Sequence, residues 1–360
     1  MPSDTPIPVD VERLLVVCPS WVGDVVMATP VLRALRGARP RARVIAACRP
    51  GLDALLAGTP WLDAIVVGEP KRAGGLLGLG RRLRRERPDA ALLLPNSFRS
   101  ALLARLAGAG RRVGYRRYGR GVLLSAGLPA PPAKPPVPAL DYYRRLAAWA
   151  LGVREIDPRM ELFVTDADRA EAARHLDGVA RPYAVLCPGA SKAAKRWPAP
   201  RFAAVANGLA GQGLAVVATG APAERPLLAE VARAAKATVH DLAARGVTMG
   251  GLKAVIAGAA LCVTNDTGPR HVAAALETPV VTLFGPTDHR WTSIDCPRER
   301  ILLAQPFLPD TLVADDHPRS CAITRIPVSD VLSAARQLLD ASRPAAPPGP
   351  GAAPASTSAG

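Results

Sequence analysis

The amino-acid sequence predicts an α/β protein with two doubly wound, Rossmann-like domains. Short, nearly continuous apolar runs alternate with helical segments in both halves of the chain, which is typical of parallel sheets covered by helices on both faces. The 360 residues suit two domains of ordinary size, and the 49% hydrophobic content is ample for two cores. Two such domains leave a cleft between them, in which ligands bind at the carboxyl ends of the strands.

The first half of the chain predicts one parallel sheet. Strands are expected at residues 13–18, 43–48, 64–67 and 90–94. Helices are expected at residues 25–35, 99–106 and 140–151, and Gly37 is expected to close the first of them. The Pro-rich residues 129–138 predict an extended loop.

The second half repeats this alternation. Strands are expected at residues 183–187, 214–219, 238–241, 261–264 and 280–284, with a helix between each pair. We expect an N-terminal domain at residues 1–165 and a C-terminal domain at residues 178–342. Residues 343–360, rich in Pro, Ala, Ser and Gly, predict a disordered tail.

The charge balance is strongly basic but does not predict a nucleic-acid partner. The net charge is +16, and 40 of the 46 basic residues are arginine. Arg, Ala, Pro and Gly are all abundant, which resembles the coding bias of a GC-rich genome. With five Phe, five Trp and five Tyr, the chain also lacks the aromatic residues on which bases stack. We therefore expect no binding to nucleic acid.

Neither a metal centre nor a bound cofactor is expected. The six cysteines form no Cys-x-x-Cys pair, which argues against a zinc site or a disulfide framework. No Asp-x-Asp pair follows a strand, as a metal clamp would require. The N-terminus has no apolar signal core, and no run reaches about 18 apolar residues. These features predict a cytoplasmic protein without a membrane span.

A tight turn at Asp266-Thr267-Gly268 lies between the predicted strand 261–264 and a short predicted helix at residues 269–276. The N-terminus of such a helix presents free backbone N–H groups and the positive end of its dipole, which together bind phosphate. A carboxylate repels phosphate, so Asp266 is expected to accept hydrogen bonds from hydroxyl groups. A phosphate site beside a hydroxyl-binding carboxylate suggests a nucleotide sugar.

Asp24 follows Gly23 in the first predicted strand–helix turn. A carboxylate there can act as a general base that takes the proton of a sugar hydroxyl, and the apolar side chains around it would raise its pKa. The alternative is that Asp24 is the N-cap of the helix, a position that Asp fills well.

Residues 188–198 form a basic turn after the first strand of the second half. Ser191 can donate to a phosphate oxygen, and Lys195 can neutralise the charge on a departing diphosphate. Two of the six lysines occur in this turn, in a chain that otherwise uses arginine. The alternative is a solvated basic loop, and Trp197 is expected to be a packing residue.

Three further residues have both a functional and a structural interpretation. Glu224, after the strand predicted at 214–219, can hold ribose hydroxyls or complement the dipole of the next helix. Met249, taken alone, is expected to be a core residue. His271 lies inside the short helix at 269–276, where it can face the phosphate or pack against its neighbours.

Two basic runs can meet an anionic lipid surface or a phosphorylated sugar. The first is the polar face of a predicted helix whose apolar residues are Leu76, Leu79 and Leu83, and the second follows the turn at residues 96–99. The two runs consist of Arg81, Arg82, Arg84 and Arg85, and of Arg111, Arg112, Arg116, Arg117 and Arg120. The alternative is that both are solvated surfaces.

Taken together, these segments resemble the ADP-heptose:lipopolysaccharide heptosyltransferases. The matching stretches are PSWVGDVVMATPVLRALR at 19–36, PNSFRSALLARLAG at 95–108, CPGASKAAKRWP at 187–198 and TNDTGPRHVAAALETPVVTLFGPT at 264–287. Their order and spacing match across roughly residues 13–290. The Pro-Ser-Trp-Val-Gly-Asp and Cys-Pro-Gly-Ala forms are more similar to heptosyltransferase II than to heptosyltransferase I.

This resemblance implies a GT-B fold and metal-independent, inverting transfer of L-glycero-D-manno-heptose from ADP-heptose to the inner core of lipopolysaccharide. It implies that Asp24 is the catalytic base and that Lys195 assists departure of the diphosphate. It also implies the following substrate-binding roles: Ser191 and Lys195 at the diphosphate, Glu224 at the ribose, Met249 by the adenine, Asp266 at the heptose, and Thr267, Gly268 and His271 at the phosphate.

The implied partners are the ADP-heptose donor and a lipid A–Kdo/heptose core acceptor. Because that acceptor is anchored in lipid, the protein is expected to associate peripherally with the anionic inner face of the cytoplasmic membrane, through the two basic runs. Residues 316–321 lack the several cysteines that many relatives carry there. Two other functions stay open: a GT-B-like sugar-nucleotide epimerase, and a basic, non-enzymatic protein that binds nucleic acid or membrane.

Overall fold

The computed structural model describes residues 5–72, 74–132, 134–304, 308–309 and 311–342. The tail predicted at residues 343–360 lies outside the described residues. Within the described ranges the chain forms two sheets of six parallel strands each, with helices on both faces of each sheet. The predicted α/β fold with two doubly wound halves is therefore confirmed.

The strands of both sheets are short; the central strands are almost entirely buried, and those toward the sheet edges are partly exposed. The strands are β1 (Arg13–Val17), β2 (Arg43–Cys48), β3 (Ala64–Val67), β4 (Ala90–Leu93), β5 (Arg111–Arg116), β6 (Ala126–Pro129), β7 (Tyr183–Cys187), β8 (Ala215–Ala218), β9 (Val239–Asp241), β10 (Leu261–Asn265), β11 (Val280–Phe284) and β12 (Glu299–Leu303).

The helices cover the two sheets. They are α1 (Val22–Met27), α2 (Thr29–Ala38), α3 (Leu52–Leu56), α4 (Gly75–Arg85), α5 (Phe98–Leu106), α6 (Ala139–Leu151), α7 (Asp166–His175), α8 (Ala199–Ala210), α9 (Arg225–Ala234), α10 (Met249–Ala257), α11 (Gly268–Ala275) and α12 (Val328–Ala341). None of the helices in the described residues is both long enough and apolar enough to cross a bilayer.

The two sheets share one topology. The first has the strand order β3-β2-β1-β4-β5-β6, and the second has the order β9-β8-β7-β10-β11-β12. In each sheet the order reverses between two central strands, β1 and β4 in the first and β7 and β10 in the second. Ligands bind doubly wound sheets at the carboxyl ends of such strands, so each sheet offers one crevice of this kind.

The apolar core explains why the strands read as continuous hydrophobic runs. Along β1, Leu14 and Val16 face one layer of helices, whereas Leu15 and Val17 face the other. Both faces are covered, so the alternation of strand side chains buries every residue instead of every second one. One apolar cluster continues from Leu14 in the first sheet to Val185 in the second, and it joins the two halves.

The first helix differs from its prediction at residues 25–35. Helix α1 starts at Val22, three residues earlier, and the helix breaks at Ala28 before α2. Pro30 has no N–H to donate to the carbonyl of Val26, and the hydroxyl of Thr29 donates to that carbonyl instead, at 2.7 Å. Gly37 lies inside α2, so the prediction that it closes the helix is wrong.

Three strands were missed by the sequence prediction. Strand β5 carries arginine at both ends and alternates only weakly, so the sequence predicts a basic run there and no strand. Strand β6 takes in Pro129, the first residue of the predicted extended loop; residues 130–132 and 134–138 of that loop form neither helix nor strand. Strand β12 lies at the edge of the second sheet, where a strand needs fewer apolar residues.

Candidate active site

A cavity of about 540 Å³ lies between the two halves, at the carboxyl ends of both sheets. This volume is in the usual range for a small-molecule site. One wall comes from the start of α1, and the other comes from the turns that follow β7, β8 and β10. Every predicted site residue lines this cavity: Asp24, Ser191, Lys195, Glu224, Met249, Asp266, Thr267, Gly268 and His271.

Two glycines allow the halves to approach closely beside the cavity. A Cβ atom on Gly23 would lie 2.6 Å from Cδ2 of His271, and one on Gly268 would lie 2.8 Å from Cβ of Val22. Each glycine therefore packs against a side chain of the other helix, His271 or Val22, and a larger residue at either position would push α1 and α11 apart. Asp24 directly follows Gly23, so it lies at the seam between the two halves.

Asp24 occupies the third position of α1. The N-cap residue is Trp21, and its side chain makes no capping hydrogen bond. The alternative that Asp24 caps this helix is therefore wrong, because the helix starts earlier than the sequence suggested. In the first turn its carboxylate still lies near the positive end of the helix dipole.

Burial raises the pKa of Asp24 above the usual value of a carboxyl group, and a hydrogen bond from the hydroxyl of Tyr143 partly lowers it. Tyr143 is a buried residue of α6. Burial and the nearby charge of Asp24 raise the pKa of Tyr143 well above its usual value, so it stays a neutral donor. A carboxylate with a raised pKa accepts a proton more readily, which suits a general base.

Lys195 and Asp266 face Asp24 across the cavity and form an ion pair. The ammonium nitrogen of Lys195 lies 2.6 Å from Oδ2 of Asp266. The hydroxyls of Thr287 and Thr292 also donate to Asp266, each at 3.3 Å. Asp266 is thus held by three donors, and Lys195 reaches it from the turn after β7.

Burial alone raises the pKa of Asp266, but the positive charges of Lys195 and Arg270 outweigh burial, and the pKa is lowered. Arg270 is fully buried on α11 and pairs with Glu299 at 2.6 Å, so its charge is fixed beneath the site. Asp266 therefore stays ionised and accepts hydrogen bonds, which suits a group that binds hydroxyls.

His271 is buried between the two halves and carries no charge at neutral pH. Burial and, to a smaller extent, the charge of Arg270 lower its pKa to about 3. Among the described residues, nothing hydrogen-bonds its buried Nδ1 atom, and the same holds for the buried hydroxyl of Thr219, which also lines the cavity. Buried polar atoms are nearly always paired, so these two atoms are candidates for contact with a ligand.

Glu224 reaches into the cavity from the short 3₁₀ turn at Pro222–Glu224. Its carboxylate accepts a hydrogen bond from the backbone N–H of Ala221 at 2.8 Å. A Cβ atom on Gly189 would lie only 2.1 Å from Oε2 of Glu224, and one on Gly220 would lie 2.9 Å from the same oxygen. The absence of a side chain at the two glycines therefore makes the space that this carboxylate occupies. Its position is compatible both with binding ribose hydroxyls and with complementing the dipole of the next helix.

Met249 and its neighbours form the apolar part of the cavity wall. Met249 is the first residue of α10 and is half-buried, and Val247 and Leu252 line the cavity beside it. Such a wall offers an apolar surface to a flat ring. Met249 is therefore not the buried core residue that it would be taken for alone.

The turn after β7 divides into a cavity part and a structural part. Ser191 is exposed at the cavity, and Lys195 lines the cavity and is half-buried. Trp197 is fully buried, and its Nε1 donates to the carbonyl of Ile326 at 3.1 Å. The prediction that Trp197 is a packing residue is confirmed.

A second cavity of about 330 Å³ lies at the carboxyl ends of β1 to β4, within the first half. Trp21 and Asp24 line both cavities, so the two spaces meet at the proposed base. The cations Arg49, Lys71 and Arg99 line the second cavity.

The two predicted basic runs differ in exposure. Arg81, Arg82, Arg84 and Arg85 are all exposed on α4. In the second run, however, Arg120 is fully buried and donates to the carbonyl of Tyr115 and to the side chain of Asn96. The prediction that Arg120 belongs to a surface run is wrong, because these buried oxygens satisfy its guanidinium. The described residues contain no group of three or more His, Cys, Asp or Glu that could hold a metal ion.

Comparison with known proteins identifies the family. The model of glycosyltransferase family 9 (heptosyltransferase) matches residues 76–306, more than half of the chain. Lipopolysaccharide heptosyltransferase 2 of Escherichia coli is 32% identical over 297 residues, which cover 78% of this chain and 84% of that protein. The chain belongs to glycosyltransferase family 9.

Other heptosyltransferases match over similar lengths. Lipooligosaccharide heptosyltransferase 2 of Haemophilus influenzae is 30% identical over 298 residues, 78% of this chain and 85% of that protein. The solved structure of the E. coli ADP-heptose lps heptosyltransferase II has a TM-score of 0.78 and 27% identity, and it covers 91% of this chain and 99% of that one. The chain is thus a glycosyltransferase with a GT-B fold, and the resemblance seen in the sequence is confirmed.

Several residues of the site were missed by the sequence reasoning. Thr219 follows the carboxyl end of β8, a position where a polar residue deserves notice in a doubly wound sheet. Tyr143 and Thr292 carry no such signal, since each reaches the site from an element that looks structural in the sequence. Gly189 is detectable only from the close approach of Glu224.

Proposed function

We propose that this family 9 glycosyltransferase moves L-glycero-D-manno-heptose from ADP-heptose to the inner core of lipopolysaccharide, with inversion at the anomeric carbon. The observation that carries the proposal is the single cavity in which Asp24 of one half faces the Lys195–Asp266 pair of the other. The relatives named for this transfer, and the E. coli structure named for ADP-heptose, support the choice of donor and acceptor.

The donor occupies the second half in this proposal. The helix N-terminus at Thr267 and Gly268, together with His271 and Ser191, receives the phosphates. Glu224 accepts the ribose hydroxyls, and the apolar wall around Met249 receives the adenine. Asp266, kept ionised by its cationic neighbours, accepts hydrogen bonds from the heptose hydroxyls.

Asp24 acts as the general base. Its carboxylate takes the proton of the acceptor hydroxyl as the hydroxyl oxygen bonds to the anomeric carbon of heptose. The bond from that carbon to the diphosphate oxygen breaks on the opposite face, and ADP leaves with the bonding electrons. Attack on one face and departure from the other inverts the configuration.

Lys195 stabilises the leaving diphosphate as a positive point charge, beside the positive end of the α11 dipole. Its ammonium is held in place by Asp266, so it needs little reorganisation when negative charge develops. No metal or other cofactor takes part in this proposal.

The acceptor enters through the second cavity, which meets the first at Asp24. The cations Lys71 and Arg99 suit the anionic groups of a lipid A–Kdo/heptose core, whereas Arg49 is paired at 3.1 Å with Glu69, which lines the same cavity. We assign the acceptor to residues 1–165 and the donor to residues 178–342. The enzyme would act in the cytoplasm, attached peripherally to the inner face of the cytoplasmic membrane, without binding nucleic acid.

The decisive experiment measures ADP release from ADP-heptose with and without a water-soluble inner-core oligosaccharide acceptor. The proposal expects ADP release that requires the acceptor, together with a heptosylated product of inverted configuration. A sugar-nucleotide epimerase would instead release a changed free sugar without any acceptor. ADP-heptose that stays intact with every inner-core acceptor would contradict the proposed function.

A further inference from the structure

We propose that the carboxyl-end edge of the first sheet is a docking surface for an anionic lipid bilayer, formed by Leu77, Phe98, Tyr118 and Val122. This inference rests on the proposed function, in which the acceptor is anchored in lipid. It differs from attachment through the arginine runs alone, because it assigns membrane contact to apolar side chains at the mouth of the second cavity.

The four side chains are unusually exposed for their type. Leu77 is 53% exposed, Phe98 49%, Tyr118 72% and Val122 85%. A single exposed apolar residue on a soluble protein has no special meaning, whereas several on one edge indicate an interaction site.

The topology places all four at one edge. Phe98 is the first residue of α5, which follows β4, and Leu77 lies in the first turn of α4, which follows β3. Tyr118 lies two residues beyond the end of β5, and Val122 lies in the 3₁₀ turn at Arg120–Leu123. The strands are parallel, so their carboxyl ends share one edge of the sheet.

The buried guanidinium of Arg120 holds the Tyr118–Val122 segment against the start of α5. It donates to the carbonyl of Pro95 and, at 3.2 Å, to the hydroxyl of Ser100. This pins the loop that carries Tyr118 and Val122 beside Phe98. The two residues are therefore presented on a fixed loop, and their exposure follows from the packing of Arg120.

The charge around this edge fits anionic lipid. Residues 90–140 contain no Asp or Glu. Of their eight basic residues, Arg120 is buried, and Arg105, Arg111 and Arg112 lie toward the opposite, amino end of the sheet. Lys71, Arg72, Arg99 and Arg116 are exposed at the same edge. Apolar side chains that enter the interface, surrounded by cations that meet the headgroups, are the pattern of a peripheral membrane contact.

The position of the second cavity also favours a bilayer as the partner of this surface. Lys71 and Arg99 line the second cavity as well as this edge, so docking would turn the mouth of that cavity toward the lipid surface. An acceptor held by its lipid anchor would then reach Asp24 without leaving the membrane. The exposed arginines of α4, from Arg81 to Arg85, lie farther along the helix and add only nonspecific electrostatic attraction to anionic lipid.

The test replaces three of the four side chains, in the variant Phe98→Ser/Tyr118→Ser/Val122→Ser. The matched control is Val9→Ser/Val153→Ser/Ile301→Ser, which removes three exposed apolar side chains from other parts of the surface. Sedimentation with vesicles of equimolar phosphatidylcholine and phosphatidylglycerol measures binding, and vesicles of phosphatidylcholine alone test the charge requirement. ADP release with a water-soluble core oligosaccharide measures activity without a membrane.

We expect the docking variant to bind the anionic vesicles roughly tenfold or more weakly, as the loss of buried apolar surface predicts. The control should bind as the wild type does, and both variants should keep wild-type activity on the soluble acceptor. The inference would be overturned if the docking variant bound the anionic vesicles as tightly as the wild type does. It would also be overturned if the wild type did not bind these vesicles. Should the triple variant unfold on heating earlier than the control, the single variants Phe98→Ser and Val122→Ser are judged by the same criterion. If the wild type released no ADP with the soluble acceptor, the proposed function would be contradicted. Vesicle binding would still decide whether the docking surface exists.

Discussion

The ammonium nitrogen of Lys195 lies 2.6 Å from the carboxylate of Asp266, across 71 residues of sequence. The two side chains are proposed to bind different parts of the donor, the diphosphate and the heptose, yet they are direct partners. In this proposal the ammonium of Lys195 therefore interacts with two anions, the carboxylate of Asp266 and the diphosphate of the donor. This coupling means that a substitution of either residue changes the charge balance of the other.

Replacing Lys195 with Met should weaken ADP binding by about ten- to a hundredfold, because a charge-assisted hydrogen bond contributes about 1.5–3 kcal/mol. The matched control is Lys192→Met, an exposed lysine in the same turn. Isothermal titration of both variants with ADP measures the difference. Equal ADP affinity in Lys195→Met and Lys192→Met would contradict the role of Lys195 at the diphosphate.

Replacing Gly189 with Ala should displace the carboxylate of Glu224, since the new Cβ atom would lie 2.1 Å from its Oε2. We expect a fall in ADP affinity on the order of tenfold, from the loss of the proposed ribose contact. Gly37→Ala is the control, because a Cβ atom there meets nothing within 4 Å and should be neutral or stabilising by about 0.5–1 kcal/mol. If Gly189→Ala binds ADP as tightly as Gly37→Ala does, the ribose does not depend on the position of Glu224.

Lys253 joins three parts of the molecule away from the site. Its buried ammonium lies 3.0 Å from Asp168 of α7 and donates to the backbone carbonyls of Ala54 and Ala57, at the end of α3 in the other half. Lys253→Met should destabilise the protein by up to about 3–5 kcal/mol, because it leaves the buried Asp168 without its cation and with only the hydrogen bond from the backbone N–H of Thr165. Denaturation in urea measures this loss.

The double variant Lys253→Met/Asp168→Asn should recover part of that stability, since it removes the uncompensated charge. The exposed Lys236→Met serves as the control. Because the contacts of Lys253 cross between the halves whereas ADP is proposed to bind one half, turnover should fall more than ADP affinity. Unfolding of Lys253→Met at the same urea concentration as Lys236→Met would show that this contact does not stabilise the fold.

The sequence was sufficient to predict the fold because its main signal, continuous apolar runs alternating with helices, follows directly from burial of both faces of a parallel sheet. The prediction from sequence failed at β5, because the strand begins at Arg111 and ends at Arg116 and only its short middle is buried. It also failed at the start of α1, since no capping side chain precedes Val22.

Most residues that line the cavity could be predicted singly, because they follow strands that the sequence predicts; Met249, which alone is expected to be a core residue, is the exception. Their partnerships could not, because they depend on how distant turns meet in space. The Lys195–Asp266 pair joins the turns after β7 and β10, and the approach of Gly23 to His271 joins the two halves. No local pattern of residues encodes either contact.

The pH dependence of turnover should report the unusual pKa of Asp24. Only the ionised carboxylate accepts a proton, so turnover falls as the pH drops through this pKa; burial raises the pKa, and the fall should begin above the range of an ordinary aspartate. The hydrogen bond from Tyr143 lowers the pKa, so Tyr143→Phe should move the acid limb to still higher pH. Tyr118→Phe, at an exposed position, should leave the profile unchanged. A profile of Tyr143→Phe that coincides with the wild type would remove Tyr143 from the mechanism.

Replacing Asp24 with Asn separates its chemistry from its structure. Asn has nearly the same shape but cannot take a proton at neutral pH, so turnover should fall on the order of 10²–10⁴-fold, the usual contribution of a general base. Because Trp21 and not Asp24 is the N-cap of α1, the melting temperature of Asp24→Asn should stay close to that of the wild type. Its ADP affinity should also be kept, since the nucleotide is proposed to contact the other wall of the cavity. Asp10→Asn, an exposed carboxylate in the same half, is the matched control for loss of one negative charge. If Asp24→Asn transfers heptose as fast as Asp10→Asn does, another group must accept the proton, and the raised pKa of Asp24 would be a consequence of its burial at the seam alone.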